Sequence, residues 1–269
     1  MAVLALTSAK GAPGVTTSAL AIALAWPRPV LLLEADVAGG SSILAGYLRG
    51  AVRHDRGLVD LALAHRRGEL VDALHAASIE LPDSQARLVA GLTNPAQAAS
   101  LQPVWDSIAG VLRALDRKGT DVVIDAGRVG GQHGPAALLR EADLSVLVTR
   151  TTLPAVAATR ARAALLREEF THQGTGADAL ALLLVGEGQP YSSREIKDGV
   201  GSPVAAALAW DPVNAEVFSL GAAPGRKFQN SSLVRSVHAA SDSLRTLIAA
   251  RQERLAPGLL VQDGDRAHA

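Results

Sequence analysis

The sequence predicts an α/β fold, a single-domain, mostly parallel twisted sheet flanked by helices, and three observations carry that prediction. Short apolar runs alternate with longer stretches of helical period, the pattern of strands joined by crossover helices. Several runs, such as Val30-Leu-Leu-Leu-Glu34 and Leu180-Ala-Leu-Leu-Leu-Val185, have no polar alternation, as strands buried on both faces read. The chain is 48% hydrophobic but only 3% aromatic, so Ala, Val and Leu must build the core between those layers.

Taken in order, the predicted strands are Ala2–Leu6, Val30–Glu34, Arg87–Ala90, Asp121–Asp125, Leu144–Thr149, Leu180–Val185 and Val204–Leu208. Each is a short apolar run bounded by turn or polar residues. The predicted helices between and after them are Thr16–Ala25, Leu58–His65, Glu69–Ala76, Leu101–Lys118, Leu153–Thr171 and Ser231–Arg251. In the last, Leu233, Val237, Ala240, Leu244 and Leu247 recur every three or four residues, which lays one apolar stripe against the sheet. There is no internal repeat and no linker-like tract. The expectation is one domain over 1–255 and a flexible tail over 256–269, where Pro257-Gly258 breaks the last helix and polar residues follow.

Composition excludes several classes. With no cysteine among 269 residues there is no disulfide framework, thiolate metal site or cysteine nucleophile. Twenty-six basic residues balance 26 acidic ones, which argues against a surface built wholly for nucleic acid or anionic lipid. No apolar run reaches the length of a membrane span, and Met1–Leu6 has no basic leader. A soluble, cytoplasmic protein is expected. Lysine occurs only at 10, 118, 197 and 227, so each lysine merits inspection.

The first strand runs into Lys10-Gly11-Ala12-Pro13-Gly14-Val15-Thr16-Thr17 and then into a helix. Chemically this is a phosphate cradle. Small residues let backbone N–H groups converge on an anion, and a helix N-terminus adds unpaired donors and partial positive charge. A tight strand-to-helix turn without a ligand is the plainer alternative. Two carboxylates follow on later strands: Asp36, just after Val30–Glu34, and Asp125, at the end of Asp121–Asp125. Ligands in open α/β sheets gather at such carboxyl ends, although a capping or turn aspartate would look the same.

Lys10-Gly-Ala-Pro-Gly-Val-Thr-Thr17 resembles the deviant Walker A loop, K-G-G-x-G-K-T-[ST], of the ParA/MinD group of P-loop ATPases. Lys10 falls on the signature lysine, and Gly11, Gly14, Thr16 and Thr17 match. Ala12 replaces a glycine, and Val15 replaces the ordinary P-loop lysine that reaches the β and γ phosphates. Glu34-Ala-Asp36 is similar to the switch I acids, Asp125 to the Walker B acid, and Ala126–Gly131 to switch II. The resemblance implies ATP or ADP with Mg²⁺ as cofactors, the phosphates lying along Gly11, Ala12, Pro13, Gly14, Val15, Thr16 and Thr17. It implies Thr16, Asp36 and Asp125 as metal ligands, and Lys10 and Asp36 as the catalytic pair, with Lys10 reaching a partner's phosphates. Ala209-Trp210-Asp211-Pro212 looks like the stretch that packs near the base, while Val185-Gly-Glu-Gly188 lacks the family's adenine-reading asparagine. Arg128 and His133 are weaker candidates in the switch II segment.

The resemblance implies a positioning or partitioning protein that forms a homodimer around ATP–Mg²⁺, with weak or slow hydrolysis. Because Val15 stands where the lysine should be, a second reading keeps the fold as a pseudo-ATPase scaffold that recruits a protein machine. The TadZ/CpaE-like group of tight-adherence pilus loci resembles that case. A dinucleotide enzyme is a third reading, with only Glu34 pointing to a ribose contact and no G-x-G-x-x-G. A protein partner is expected in either of the first two. DNA is weakly supported, by Arg160, Arg162 and Arg167 on one helix and by Arg226, Lys227, Arg235, Arg245, Arg251 and Arg254. A basic amphipathic anchor for membrane is missing at the C-terminal end.

Overall fold

The structure, a computed structural model, describes residues 2–115, 119–173 and 175–256; the tail expected from Pro257 onward lies outside the described residues. The first unit is β1 (Val3–Ser8), buried at every residue, then α1 (Val15–Leu24) and β2 (Val30–Glu34). A π-turn at Ile43–Tyr47, α2 (Leu58–His65) and α3 (Leu70–Ala77) lead to β3 (Ser78–Glu80) and β4 (Ala86–Val89). The chain continues through a 3-10 turn at Pro95–Leu101, α4 (Trp105–Ala114), β5 (Asp121–Arg128), α5 (Ala136–Glu141), β6 (Leu144–Arg150) and α6 (Leu153–His172). It ends with β7 (Leu180–Val185), α7 (Ser193–Val200), β8 (Val204–Leu208), α8 (Pro212–Ser219) and α9 (Ser232–Leu255).

The strands form one eight-stranded sheet in the order β3-β4-β2-β5-β1-β6-β7-β8. All pairings are parallel except β3 with β4. One core, on the side of α2 to α7, includes Leu58, Trp105, Leu138, Phe170 and Ile196. The other, beneath α1, α8 and α9, includes Leu20, Ile22, Phe218, Val237 and Leu244. The single-domain α/β expectation therefore holds, with helices on both faces as parallel strands require. The two sheet edges differ. β3 is three residues long and bears the Glu80–Arg87 ion pair of 3.3 Å. β8 is Val204-Ala-Ala-Ala-Leu208 and, among the described residues, has no strand on its outer side.

All seven predicted strands form, within a few residues of their expected ends. The helix expected at Leu101–Lys118 is corrected: α4 begins only at Trp105. Pro103 has no N–H to donate, so a helical hydrogen bond is missing at that position. The far end of that expectation, 116–118, lies outside the described residues. Three helices were not foreseen. α7 carries a readable signal, the capping box in which Ser192 and Glu195 satisfy each other's backbone N–H. α8 likewise has Asp211 as N-cap and Pro212 in its first turn. α5 spans only six residues, too short for a periodic pattern.

Asp121, at the start of β5, locks the beginning of the fold. Its carboxylate is 1% exposed and accepts from the Ala2 N–H at 2.8 Å and from Trp26 Nε1 at 2.7 Å. On the opposite side of the sheet plan, the π-turn and α8 interlock backbone to backbone at Gly46. A Cβ there would run into the Ser219 carbonyl. Gly46→Ala should therefore cost about 1–3 kcal/mol through overpacking. Gly110→Ala, on an exposed turn of α4 with open space around it, should gain roughly 0.5–1 kcal/mol from helix propensity. Urea unfolding of both variants checks the opposite signs.

Candidate functional site

β1 sits in the middle of the sheet, between β5 and β6, so the loop leaving it opens where neighbouring connections diverge to the two halves. That is the crevice in which open α/β sheets place ligands. The loop depends on two glycines in the left-handed region, Gly11 at φ 74° and Gly14 at φ 96°. Gly14 is the N-cap of α1, and its carbonyl accepts from the Ser18 N–H at 2.8 Å. A side chain at φ near +96° would be strained, so glycine is what lets the strand turn into the helix here. Lys10, Gly11 and Ala12 are exposed, Pro13 is buried, and Thr16 and Thr17 are half-buried.

The loop lines a cavity of about 340 Å³, whose wall includes Ser8, the whole Gly11–Thr17 stretch and Asp36. Gly127, Arg128, Phe218 and Ser219 close it from the other side, with Ser42 and Ile43. The first N–H groups of α1 have no carbonyl within the helix to bond, and the residues that carry them border the cavity. Val15 is the exception in chemistry. It is 7% exposed and packs with Leu20 and Ile22 in the core under α1. The position that the resemblance assigns to a phosphate-reaching lysine therefore contributes backbone and a buried isopropyl group.

Three of the sequence-predicted side chains meet beside this cavity: Thr16 and Asp36 line it, and Asp125 lies buried behind Thr16. The Thr16 hydroxyl hydrogen-bonds Asp125, which also accepts from the Gly127 N–H at 3.0 Å. Asp36 lies against the bare Cα of Gly127, where a Cβ would collide with its carboxyl group. Its Oδ1 also accepts from the Ala38 N–H at 2.9 Å. The sequence suggested Asp125 as the strand end, but β5 continues to Arg128, which pairs with Ser8 past a register shift between the two strands. This places the carboxylate at 1% exposure. Burial, with the charge of Asp36 adding to it, pushes Asp125 up to about 6 against the pull of the Thr16 and Gly127 hydrogen bonds.

Glu34 has a different role from the one its sequence position suggests. Its Oε2 accepts from Ser41 Oγ at 2.5 Å and from the Gly91 N–H at 3.2 Å, and Oε1 accepts from the Ile43 N–H at 3.5 Å. Ser41 Oγ in turn accepts from the Leu44 N–H at 3.0 Å. The carboxyl group thus pins the loop after β2 and the start of the π-turn. It does not border the cavity. Burial, aided by the charge of Asp125, pushes it up to about 7.

Of the remaining candidates, Arg128 lines the cavity and the others lie elsewhere. Trp210 and Asp211 do not line the cavity. The Arg150 guanidinium stacks 3.4 Å above the Trp210 ring, and a Cβ on Gly186 would come within 3.3 Å of Trp210 Cβ. Asp211 caps α8: its carboxylate accepts from the Asn214 N–H at 3.2 Å, from Asn214 Nδ2 at 2.8 Å and from Ser232 Oγ at 3.3 Å. The Asn214 side-chain hydrogen bond holds it below the usual carboxylate range. His133 contributes its backbone carbonyl, which accepts from Trp105 Nε1 at 3.0 Å. Gly127 and the pair Phe218–Ser219 were not singled out in the sequence. A glycine after a strand acid was visible at 127, whereas nothing local announced that α8 would fold back over the loop.

Two buried acids with raised values make stability fall as pH rises. Below about 4.5 Glu34 is protonated in both folded and unfolded chains; between 4.5 and about 7 only the unfolded chain gives up the proton. Urea titrations should therefore show a loss of about 3 kcal/mol from this group across that window. Glu34→Gln should remove that part of the slope.

No family model matches the chain, and no curated protein is similar to it in sequence. Solved structures are similar in fold. The septum site-determining protein MinD of Pyrococcus horikoshii, complexed with Mg-ADP, superposes with a TM-score of 0.71 at 18% identity, over 93% of this chain and 98% of that one. A ParA family ATPase of Chlorobium tepidum gives 0.67 at 17% identity, over 89% and 98%. MinD in the MinC:MinD cell division complex of Aquifex aeolicus gives 0.68 at 15% identity, over 93% and 96%. The chain has the P-loop fold of the MinD and ParA ATPases.

Proposed function

We propose that the chain is a ParA/MinD-like nucleotide-binding protein that dimerises around ATP–Mg²⁺, hydrolyses it weakly or slowly, and acts in positioning or partitioning through a protein partner. The observation that carries this reading is the meeting of Thr16, Asp125 and Asp36 beside the Gly14 loop. The donor set fits the ion. A hydroxyl and two carboxylates are hard oxygen ligands, and Mg²⁺ takes few protein ligands when phosphate and water supply the rest. Among the described residues no cluster of three or more His, Cys, Asp or Glu side chains suits a metal held by protein alone. The raised value of Asp125 also fits, since a nearby cation would favour the ionised form.

In this reading the backbone N–H groups of the Gly11–Thr17 loop, other than at Pro13, would hold phosphate oxygens, and Thr16, Asp36 and Asp125 would hold the magnesium. The bound ion would neutralise charge on the phosphates. Asp36, fixed on Gly127, orients water beside them, and exposed Lys10 is free to reach a second copy. Trp210, stacked under Arg150, lies at the carboxyl edge of the same sheet and is the group left to meet a base. The solved MinD bound to Mg-ADP and the MinD in complex with MinC support the cofactor and the protein partner respectively. The domain reading, 1–255 with a following tail, goes with this proposal. No helix among the described residues is long and apolar enough to cross a membrane.

The buried Val15 favours a second reading, a pseudo-ATPase scaffold. Removing one charge-assisted contact costs about 1.5–3 kcal/mol, or roughly 10–150-fold in affinity. That leaves binding measurable at millimolar nucleotide while weakening charge stabilisation in the transition state.

Calorimetric titration with ATP and Mg²⁺ is expected to give saturable binding that Thr16→Ala and Asp125→Asn both weaken by about tenfold or more. Val15→Lys should tighten it and raise turnover. Binding absent at millimolar ATP would leave the scaffold reading in its place.

A further inference from the structure

A second, larger cavity of about 670 Å³ opens on the α1, α8 and α9 side of the sheet. Its wall is apolar, formed by Leu24, Val52, Val217, Phe218, Phe228 and Val237. The Phe218 and Phe228 rings are tilted against each other with centroids 5.6 Å apart. Polar side chains in the lining are few: Tyr47, Arg49, Asp83, Ser84, Gln229 and His238. A cavity of this size, apolar with a handful of polar groups at its mouth, is what small-molecule sites look like.

The charged groups in the wall are Arg49 and Asp83. Among the described residues Arg49 takes part in no ion pair, so its guanidinium is the cation that the cavity offers to a ligand. Arg49 itself is held in place. It sits at φ 52°, and the methylene stem of its side chain lies over Gly221, where a Cβ would come 2.8 Å from Arg49 Cγ. Burial, with Asp83 adding to it, pushes the Tyr47 phenol up, so it stays a neutral donor.

We propose that this cavity is a second ligand site, for a small apolar carboxylate of the medium-chain acyl type. The chain would lie against Phe218 and Phe228, and the carboxylate would meet Arg49. Apolar burial supplies attraction without direction, and the guanidinium supplies the preference for an anionic head. Phe218 borders both this cavity and the phosphate-side one, but Arg49 and Phe228 line this one alone, and the proposal stands whether or not the other holds nucleotide.

The probes are decanoate and decanol, titrated into the full chain below their aggregation limits and followed by calorimetry. Decanoate is expected to bind at one saturable site, about tenfold tighter than decanol. Arg49→Gln should erase that preference while the apolar part of binding remains. Val52→Trp, which fills the half-buried mouth, should abolish binding of both, with circular dichroism confirming that the fold is kept. Thr16→Ala, which disables only the nucleotide reading, should leave decanoate binding unchanged. Absence of saturable binding, equal affinity for acid and alcohol, or undiminished binding to a folded Val52→Trp protein would each overturn the proposal.

Discussion

The central place of β1 in the sheet is the constraint on which the rest depends. Flanked by β5 and β6, it is buried along its whole length and must release the chain at the carboxyl edge into α1. Only a left-handed residue makes that exit, and Gly14 provides it at φ 96°. Once the exit is set, the first turn of α1, the end of β5 and the segment after β2 are neighbours. The acids on them meet without any one loop having to specify the arrangement. The site is a product of topology before it is a product of side chains.

Two buried carboxyl groups within that arrangement do opposite work. Asp125 is kept behind the cavity wall with the Thr16 hydroxyl as its partner, so its burial creates an unmet demand for positive charge. Glu34 meets its demand internally, through Ser41, Gly91 and Ile43, and spends it on loop geometry. Burial outweighs hydrogen bonding at both, which is why both hold protons unusually well. Val15 follows the same logic from the apolar side. Its contacts with the core fix the start of α1 by packing, so the cradle holds its shape without a lysine.

Much of this was legible in the chain. The seven apolar runs announced the parallel sheet because burial on both faces removes any need for polar alternation. The glycine loop announced itself because φ > 0 leaves a compositional trace. What escaped had no local signature. β3 is three residues whose strand character comes from pairing with β4. The continuation of β5 to Arg128 runs past a register shift, three residues of β5 standing against two of β1. The seat of Asp36 on Gly127, and the closure of the loop by Phe218 and Ser219, join residues far apart in sequence. Asp211 was visible as an acid before a proline, but not as a cap satisfied by Asn214 and Ser232. Pattern reports which face an element buries; it does not report which distant residue comes to rest on a particular atom.

The unlike edges of the sheet have a bearing on assembly. β3 is short, antiparallel and charged at the Glu80–Arg87 pair, a form that resists adding another strand. At the other end, β8 is the last strand among the described residues and carries the small residues Ala205, Ala206 and Ala207. The two ends of the sheet are therefore unequal as places for a further strand: the charge on the short one raises the cost of pairing there, and small side chains at the other put up no such barrier.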